Sequence, residues 1–203
     1  MRILLIIFFS LLFASDDNAP AHRTRDRQVD IHHIKIDISV DLVSESVYGY
    51  VVHQLSPLHS SLDSFELDAE DMTIRRVRLN DNDVNFNHTG KKLYISLEKN
   101  INWTDTVKVR IDYTAFPLLG TFFIKPDDTY PDKPWQAWTQ GEENDNHHWV
   151  PIYDYPNDRS TFEILLTVDD KFKAISNGEL KSVKKNDDGT HTWHWYENYP
   201  MVS

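Results

Sequence analysis

The residues with the most chemical potential sit in one short run, Trp138-Thr139-Gln140-Gly141-Glu142-Glu143-Asn144. Gln140 and Glu142 are two apart, so an extended backbone turns both to one face. Gly141 between them lets another backbone or a ligand come close. A carboxylate and an amide oxygen aimed together can receive an ammonium group, the carboxylate through charge-assisted hydrogen bonds. The same residue types also describe a solvated acidic loop, which is the simpler reading of composition alone. Just beyond, His147-His148 lies near Glu142, Glu143 and Asp145 and raises the question of a metal. Adjacent residues of an extended chain face opposite ways, so this pair is not expected to hold one ion. His32-His33 fails for the same reason, and His191 and His194 fall on opposite faces of one strand. Carboxylate pairs are plentiful among 32 acidic residues, but none sits in an acid–base frame. No H-E-x-x-H, no G-x-S-x-G and no glycine-rich phosphate loop occurs in the sequence. The run therefore offers binding chemistry without a catalytic group of its own.

The elements that must position these residues are strands. Ile34, Ile36, Ile38, Val40 and Leu42 alternate with Lys35, Asp37, Ser39 and Asp41, which puts one set on a buried face and the other in water. Leu93 to Leu97, Val107 to Tyr113 and Phe162 to Val168 repeat the pattern, and His191, Trp193 and Trp195 share a face near the end. Turn signals separate the runs: Asn80-Asp81-Asn82-Asp83, His88-Thr89-Gly90, Asn177-Gly178 and Asp188-Gly189. Asn-Gly and Asp-Gly supply the positive φ of tight hairpins. No window carries an apolar stripe of helical period. The expected fold is all-β and antiparallel, a sandwich or a strongly bent, saddle-like sheet. Residues 125–160 break the alternation and hold five of the nine prolines and three of the six tryptophans. A long irregular segment in a compact β domain is usually a functional loop, and its aromatic density argues against disorder.

Composition limits the partners. The formal net charge is −11, which disfavours nucleic acid because phosphate affinity comes from Lys and Arg. Arg75, Arg76 and Arg78 cluster, as expected of one solvated strand face. At the N-terminus, Arg2, the apolar run Ile3 to Phe13 and the small residues Ala14 and Ser15 read as a cleavable export signal over residues 1–15. The apolar run is too short to span a bilayer as a helix. Residues 16–28 read as a flexible leader. An exported chain without cysteine has no disulfide and depends on its core. Asn87 and Asn102 open glycosylation sequons, which matter only in a eukaryotic source.

Thr139-Gln140-Gly141-Glu142 followed by Trp149-Val150-Pro151-Ile152-Tyr153-Asp154-Tyr155-Pro156-Asn157-Asp158-Arg159 resembles the M1 zinc aminopeptidase family, specifically its N-terminal domain. Val29 to His33, Ser44 to Val51, Leu62 to Ala69, Ile175 to Leu180 and Tyr199-Pro200-Met201 resemble other landmarks of that domain in the same order. The resemblance covers residues 29–203. One departure is Ile152, where many members have cysteine, and it suits a buried apolar position. The resemblance implies a saddle-like β domain packed on a thermolysin-like helical domain of the same polypeptide. That helical domain carries the zinc motif H-E-x-x-H, a further zinc-binding Glu, a catalytic Tyr and G-x-M-E-N, none of which is present here. It further implies that zinc belongs to the full-length enzyme, with none bound by this segment. By the same resemblance, Glu142 binds the free α-amine of a peptide substrate, Gln140 lines the first side-chain pocket, and Gly141 stands between them. Members continue past the Tyr-Pro-Met landmark with another apolar strand, so this chain is expected to be part of a longer one. Two other readings stay open: a secreted module that binds peptides or sugars through its aromatic loop, and a structural, adhesive surface domain.

Overall fold

The computed structural model describes residues 24–203, the side chain of Glu98 excepted; the segment read as an export signal lies outside them. Strands make up 56% of the described residues, and no α-helix occurs among them. The strands are β1 (Val29–Asp41), β2 (Ser46–Pro57), β3 (Leu62–Asp68), β4 (Met72–Leu79), β5 (Asn82–Asp83), β6 (Phe86–His88) and β7 (Lys92–Ile101). They continue as β8 (Val107–Ala115), β9 (Thr121–Ile124), β10 (Gln136–Thr139), β11 (Ser160–Asp169), β12 (Glu179–Lys185) and β13 (Thr190–Met201). A single 3₁₀ turn spans Asn146–His148.

Eight strands form the main sheet in the order β12-β13-β11-β1-β2-β8-β4-β5. β3-β7-β6 make a second sheet, and β10-β9 a two-stranded ribbon. The buried rows of β1, β2, β4 and β8 merge with Phe65 and Leu67 of β3 and Leu93 and Ile95 of β7 in one hydrophobic core. The alternation read from the sequence is the physical cause: Val107, Val109, Ile111, Tyr113 and Ala115 are buried, and the residues between them are not.

Three features depart from expectation. The main sheet is mixed, because β1 and β11 run parallel, His33 opposite Thr161 through Ser39 opposite Thr167. A parallel pair needs a long crossover, and here residues 42–159 lie between the two strands. Asn177-Gly178 does not close a hairpin, because β13 lies between β11 and β12. Gly178 has φ 88° and only leads into β12, whereas Asp188-Gly189 does turn β12 into β13. Finally, the leader is tied to the domain from Arg25 onward. Arg25 pairs with Glu66 and Asp68, Arg27 with Asp30 and Asp158, and the Gln28 side-chain oxygen accepts the Glu66 N–H at 3.2 Å.

Candidate functional site

The ribbon β9–β10 carries the predicted binding residues to its end. Phe122 and Trp138 stack across it with ring centroids 4.5 Å apart, and Thr139 pairs with Thr121. The Gln140 N–H then donates to the Gly120 carbonyl at 3.0 Å, the last tie before the chain departs. Gly141 follows in a crowded spot: an added Cβ would lie 2.0 Å from the Asn146 side-chain nitrogen. That side chain is itself occupied, since its oxygen accepts the Trp149 indole N–H at 2.9 Å. Close approach, foreseen for Gly141, is realised against the protein's own loop.

Beyond Gly141 the backbone turns through residues 142–145, and the Asp145 N–H closes the turn on the Gly141 carbonyl at 3.0 Å. Strand alternation therefore stops at Gly141. Gly141, Glu142 and Glu143 all line a concavity of about 570 Å³, whereas Gln140 is exposed and outside its lining. The floor is apolar: Ile34, Ile36 and Ile38 of β1 with Phe162, Ile164 and Leu166 of β11. Trp138 and Trp149 contribute to its walls. Among the described residues no basic side chain pairs with Glu142 or Glu143. An apolar cleft with a free acidic rim can receive a cation that carries an apolar group.

The segment after the rim, Trp149 to Asp158, is an anchor. Its backbone meets Asp68 in an isolated bridge, Asp68 N–H to Ile152 O at 2.7 Å and Ile152 N–H to Asp68 O at 3.0 Å. The Asp68 carboxylate accepts from Arg25, Lys92 and the Asp154 N–H. Burial alone would raise its pKa, but these donors outweigh burial and hold it below the usual carboxylate range. The Asp158 carboxylate accepts the Ile31 N–H at 3.2 Å and pairs with Arg27, and burial leaves its pKa raised. From the core side, His53 Nε2–H donates to the Pro151 carbonyl at 2.9 Å. Complete burial pushes the His53 pKa down to about 4, so the ring is neutral at pH 7. His53 interrupts the apolar row Val47, Gly49, Val51, Leu55; that interruption was its only trace in the sequence.

The 3₁₀ turn gathers histidines that an extended chain would part. The rings of His147 and His148 stand 4.4 Å apart, on the same side as Glu70. The hydrogen bond to Asp154 holds the His147 pKa above its usual value, with burial opposing. Across the main sheet, His194 Nε2 meets a Glu163 oxygen at 2.6 Å, and His33 Nε2 meets the other at 3.8 Å. Two members of the basic cluster are paired, Arg76 with Asp83 and Arg78 with Asp112, and Arg75 donates to the Tyr113 carbonyl. Asn87 and Asn102 are both exposed.

This architecture matches known proteins. The family model for the Peptidase M1 N-terminal domain matches residues 30–203, and the chain belongs to that family. Among solved structures, the M1 zinc metallopeptidase of Deinococcus radiodurans in complex with a Tyr-Ser-Ala substrate superposes with TM-score 0.74 at 22% identity, over 86% of this chain and 40% of that one. Yeast LTA4 hydrolase in complex with bestatin gives 0.66 at 17% identity, over 86% and 27%. Among curated relatives, leucine aminopeptidase 2 of Vanderwaltozyma polyspora is 21% identical over 84% of this chain and 27% of its own length. Leukotriene A-4 hydrolase of Xenopus laevis is 22% identical over 91% and 32%. Transcription initiation factor TFIID subunit 2 of Danio rerio is 23% identical over 85% and 18%. The chain thus spans less than a third of the length of these curated relatives.

Proposed function

We propose that this chain is the substrate-rim domain of an exported M1 zinc aminopeptidase, in which Glu142 receives the free α-ammonium of a peptide. The observation that carries this reading is a carboxylate with no basic partner among the described residues, on the rim of an apolar cleft of about 570 Å³ and at the end of a ribbon held by backbone and aromatic contacts. Glu143 shares the rim, so the acidic patch is a pair rather than a single residue. Gln140 is exposed and outside the cleft lining, and its assignment to the first side-chain pocket rests on resemblance to the family.

The family's catalytic zinc does not fit this chain, because its motif H-E-x-x-H is absent from the sequence. The His/Glu cluster found among the described residues, Glu70, His147 and His148, has neither that spacing nor a helix to carry it. No catalytic step is assigned to these residues, and the zinc and the peptide cleavage belong to a further domain of the same polypeptide. Export rests on the apolar N-terminal segment. No helix among the described residues is long and apolar enough to cross a membrane.

A second reading is supported by the TFIID relative, whose name describes a transcription factor rather than a peptidase. On that reading the cleft binds a partner and no catalysis follows. The coding sequence around these residues separates the two, since an adjoining H-E-x-x-H domain is required by the first. In a polypeptide holding both domains, Glu142→Ala should lower kcat/KM roughly ten-fold or more, because losing one partner of a desolvated ion pair costs about 2–5 kcal/mol. Glu142→Gln should lose less, since the amide oxygen still accepts. Glu179→Ala, on the exposed edge strand β12, is the control and should be silent. Unchanged kcat/KM in Glu142→Ala and in the double variant with Glu143→Ala would remove the rim assignment.

A further inference from the structure

We propose that Glu70, His147 and His148 form a binding site for one divalent transition-metal ion of the zinc class. One ligand atom from each of the three lies within 4.8 Å of the others. His147 Nε2 is 3.7 Å from a Glu70 oxygen. The backbone fixes the trio, because the Glu70 N–H donates to the His147 carbonyl at 2.9 Å. The site is partly enclosed: His148 is buried, and Glu70 and His147 are half-buried.

A carboxylate stands behind each ring. His147 Nδ1 is 2.9 Å from an Asp154 oxygen, and His148 Nδ1 is 2.8 Å from an Asp71 oxygen. A carboxylate on Nδ1 fixes the N–H there and leaves the Nε2 lone pair free to ligate, the arrangement found behind most metal-bound histidines. Both rings are oriented this way, by carboxylates from two different segments. Asp154 is 2% exposed, and its second oxygen has no hydrogen-bond partner, so the local field is negative and incompletely compensated. Two imidazoles and a carboxylate suit zinc, with a fourth position left for water or another ligand.

Ligand atoms on a tetrahedral zinc stand about 3.3 Å apart at bonds of ~2.0–2.1 Å. The trio must therefore close by at most about 1.5 Å, shared between the half-buried side chains of Glu70 and His147. The lysine that pairs with Glu70 among the described residues, Lys91, reaches it at 3.0 Å from a side chain 75% exposed, a weak tether. The competing state is an imidazolium on His147 bridging Asp154 and Glu70 with no metal.

Equilibrium dialysis of the chelator-cleared 203-residue chain against zinc at pH 7.5, with metal analysis, decides between them. One zinc per chain is expected at roughly 50 µM free zinc. Glu70→Gln and His148→Ala should each weaken the affinity ten-fold or more, and His194→Ala should leave it unchanged. Imidazole nitrogen shifts should show zinc at Nε2 of both rings with Nδ1 still protonated. Glu70 is partly exposed, so Glu70→Gln folds and decides the matter if His148→Ala does not. No zinc at roughly 100 µM, or zinc held with unaltered affinity by Glu70→Gln, would overturn the site.

Discussion

His53 and Asp68 couple the fold to pH, each in its own window. His53 is fully buried and neutral, its pKa lowered to about 4. Between its ordinary value near 6.5 and about 4 the unfolded chain takes up a proton that the folded chain refuses. Stability should therefore fall as pH drops through that window, by on the order of 3 kcal/mol. His53→Gln keeps a donor for Pro151 but cannot titrate. Urea midpoints measured from pH 7 to pH 4 should flatten in this variant, and an unaltered slope would remove His53 as the cause. Asp68 has a lowered pKa, so its contribution is full above the unfolded carboxylate value near 3.9 and is lost only below it. Asp158, raised by burial, acts with the opposite sign and regains part of that loss. Asp68→Asn leaves Arg25 and Lys92 without their shared anion. These partners are one-fifth to one-third exposed, so about 2 kcal/mol at pH 7 is expected in the same measurement, less than for a fully buried pair.

At the scale of elements, the β1–β2 pairing depends on one glycine. Gly49 has φ 152°, and an added Cβ would lie 2.2 Å from the Asp37 carbonyl oxygen of β1. That atom is backbone in the middle of the main sheet and cannot move aside. Gly49→Ala should cost roughly 3 kcal/mol by overpacking, seen as a Tm lower by about 6–12 °C. An unchanged Tm would show that β1 and β2 can separate there freely. β1 also carries a bulge at His32, between Ile31 opposite Leu55 and His33 opposite Gln54. The extra residue lets both Ile31 and Ile34 face the core, which strict alternation could not do. The same bulge leaves His32 and His33 together on the polar face, against the extended-chain argument, bonded separately to Ser56 and Thr161. That argument also fails at His147 and His148, where the chain is a 3₁₀ turn rather than a strand.

At the scale of the molecule, the proposed division of labour has two checks. The purified 203-residue chain should not hydrolyse aminoacyl reporter substrates, with or without added zinc, because its sequence lacks the family's zinc motif H-E-x-x-H. Turnover that persists through purification and disappears in Glu142→Ala would place catalysis within this chain. If the N-terminal segment directs export, mass spectrometry of secreted material should show a new N-terminus between about Ala14 and Ala21. An intact Met1 on exported protein would refute it. The strands, their buried faces and the family landmarks were legible in the sequence, because each depends on residue types a few positions apart. Alternation states which side of a strand is buried, and Asp188-Gly189 states where a chain must reverse. Neither states which strand lies alongside, so the parallel β1–β11 pair was decided by packing across more than a hundred residues, and the Asn177-Gly178 hairpin was displaced by β13 entering between β11 and β12. Glu142 was found by local spacing and lies on the cleft, yet its companion there is Glu143, because a turn replaced the extended backbone. Asp68 and His53 under the anchor, and Glu70 and Asp71 beside the two histidines, are far from their partners in sequence. Only tertiary structure brings them together, because hydrogen bonds and ion pairs depend on distance in space, and the period of a strand contains no such distance.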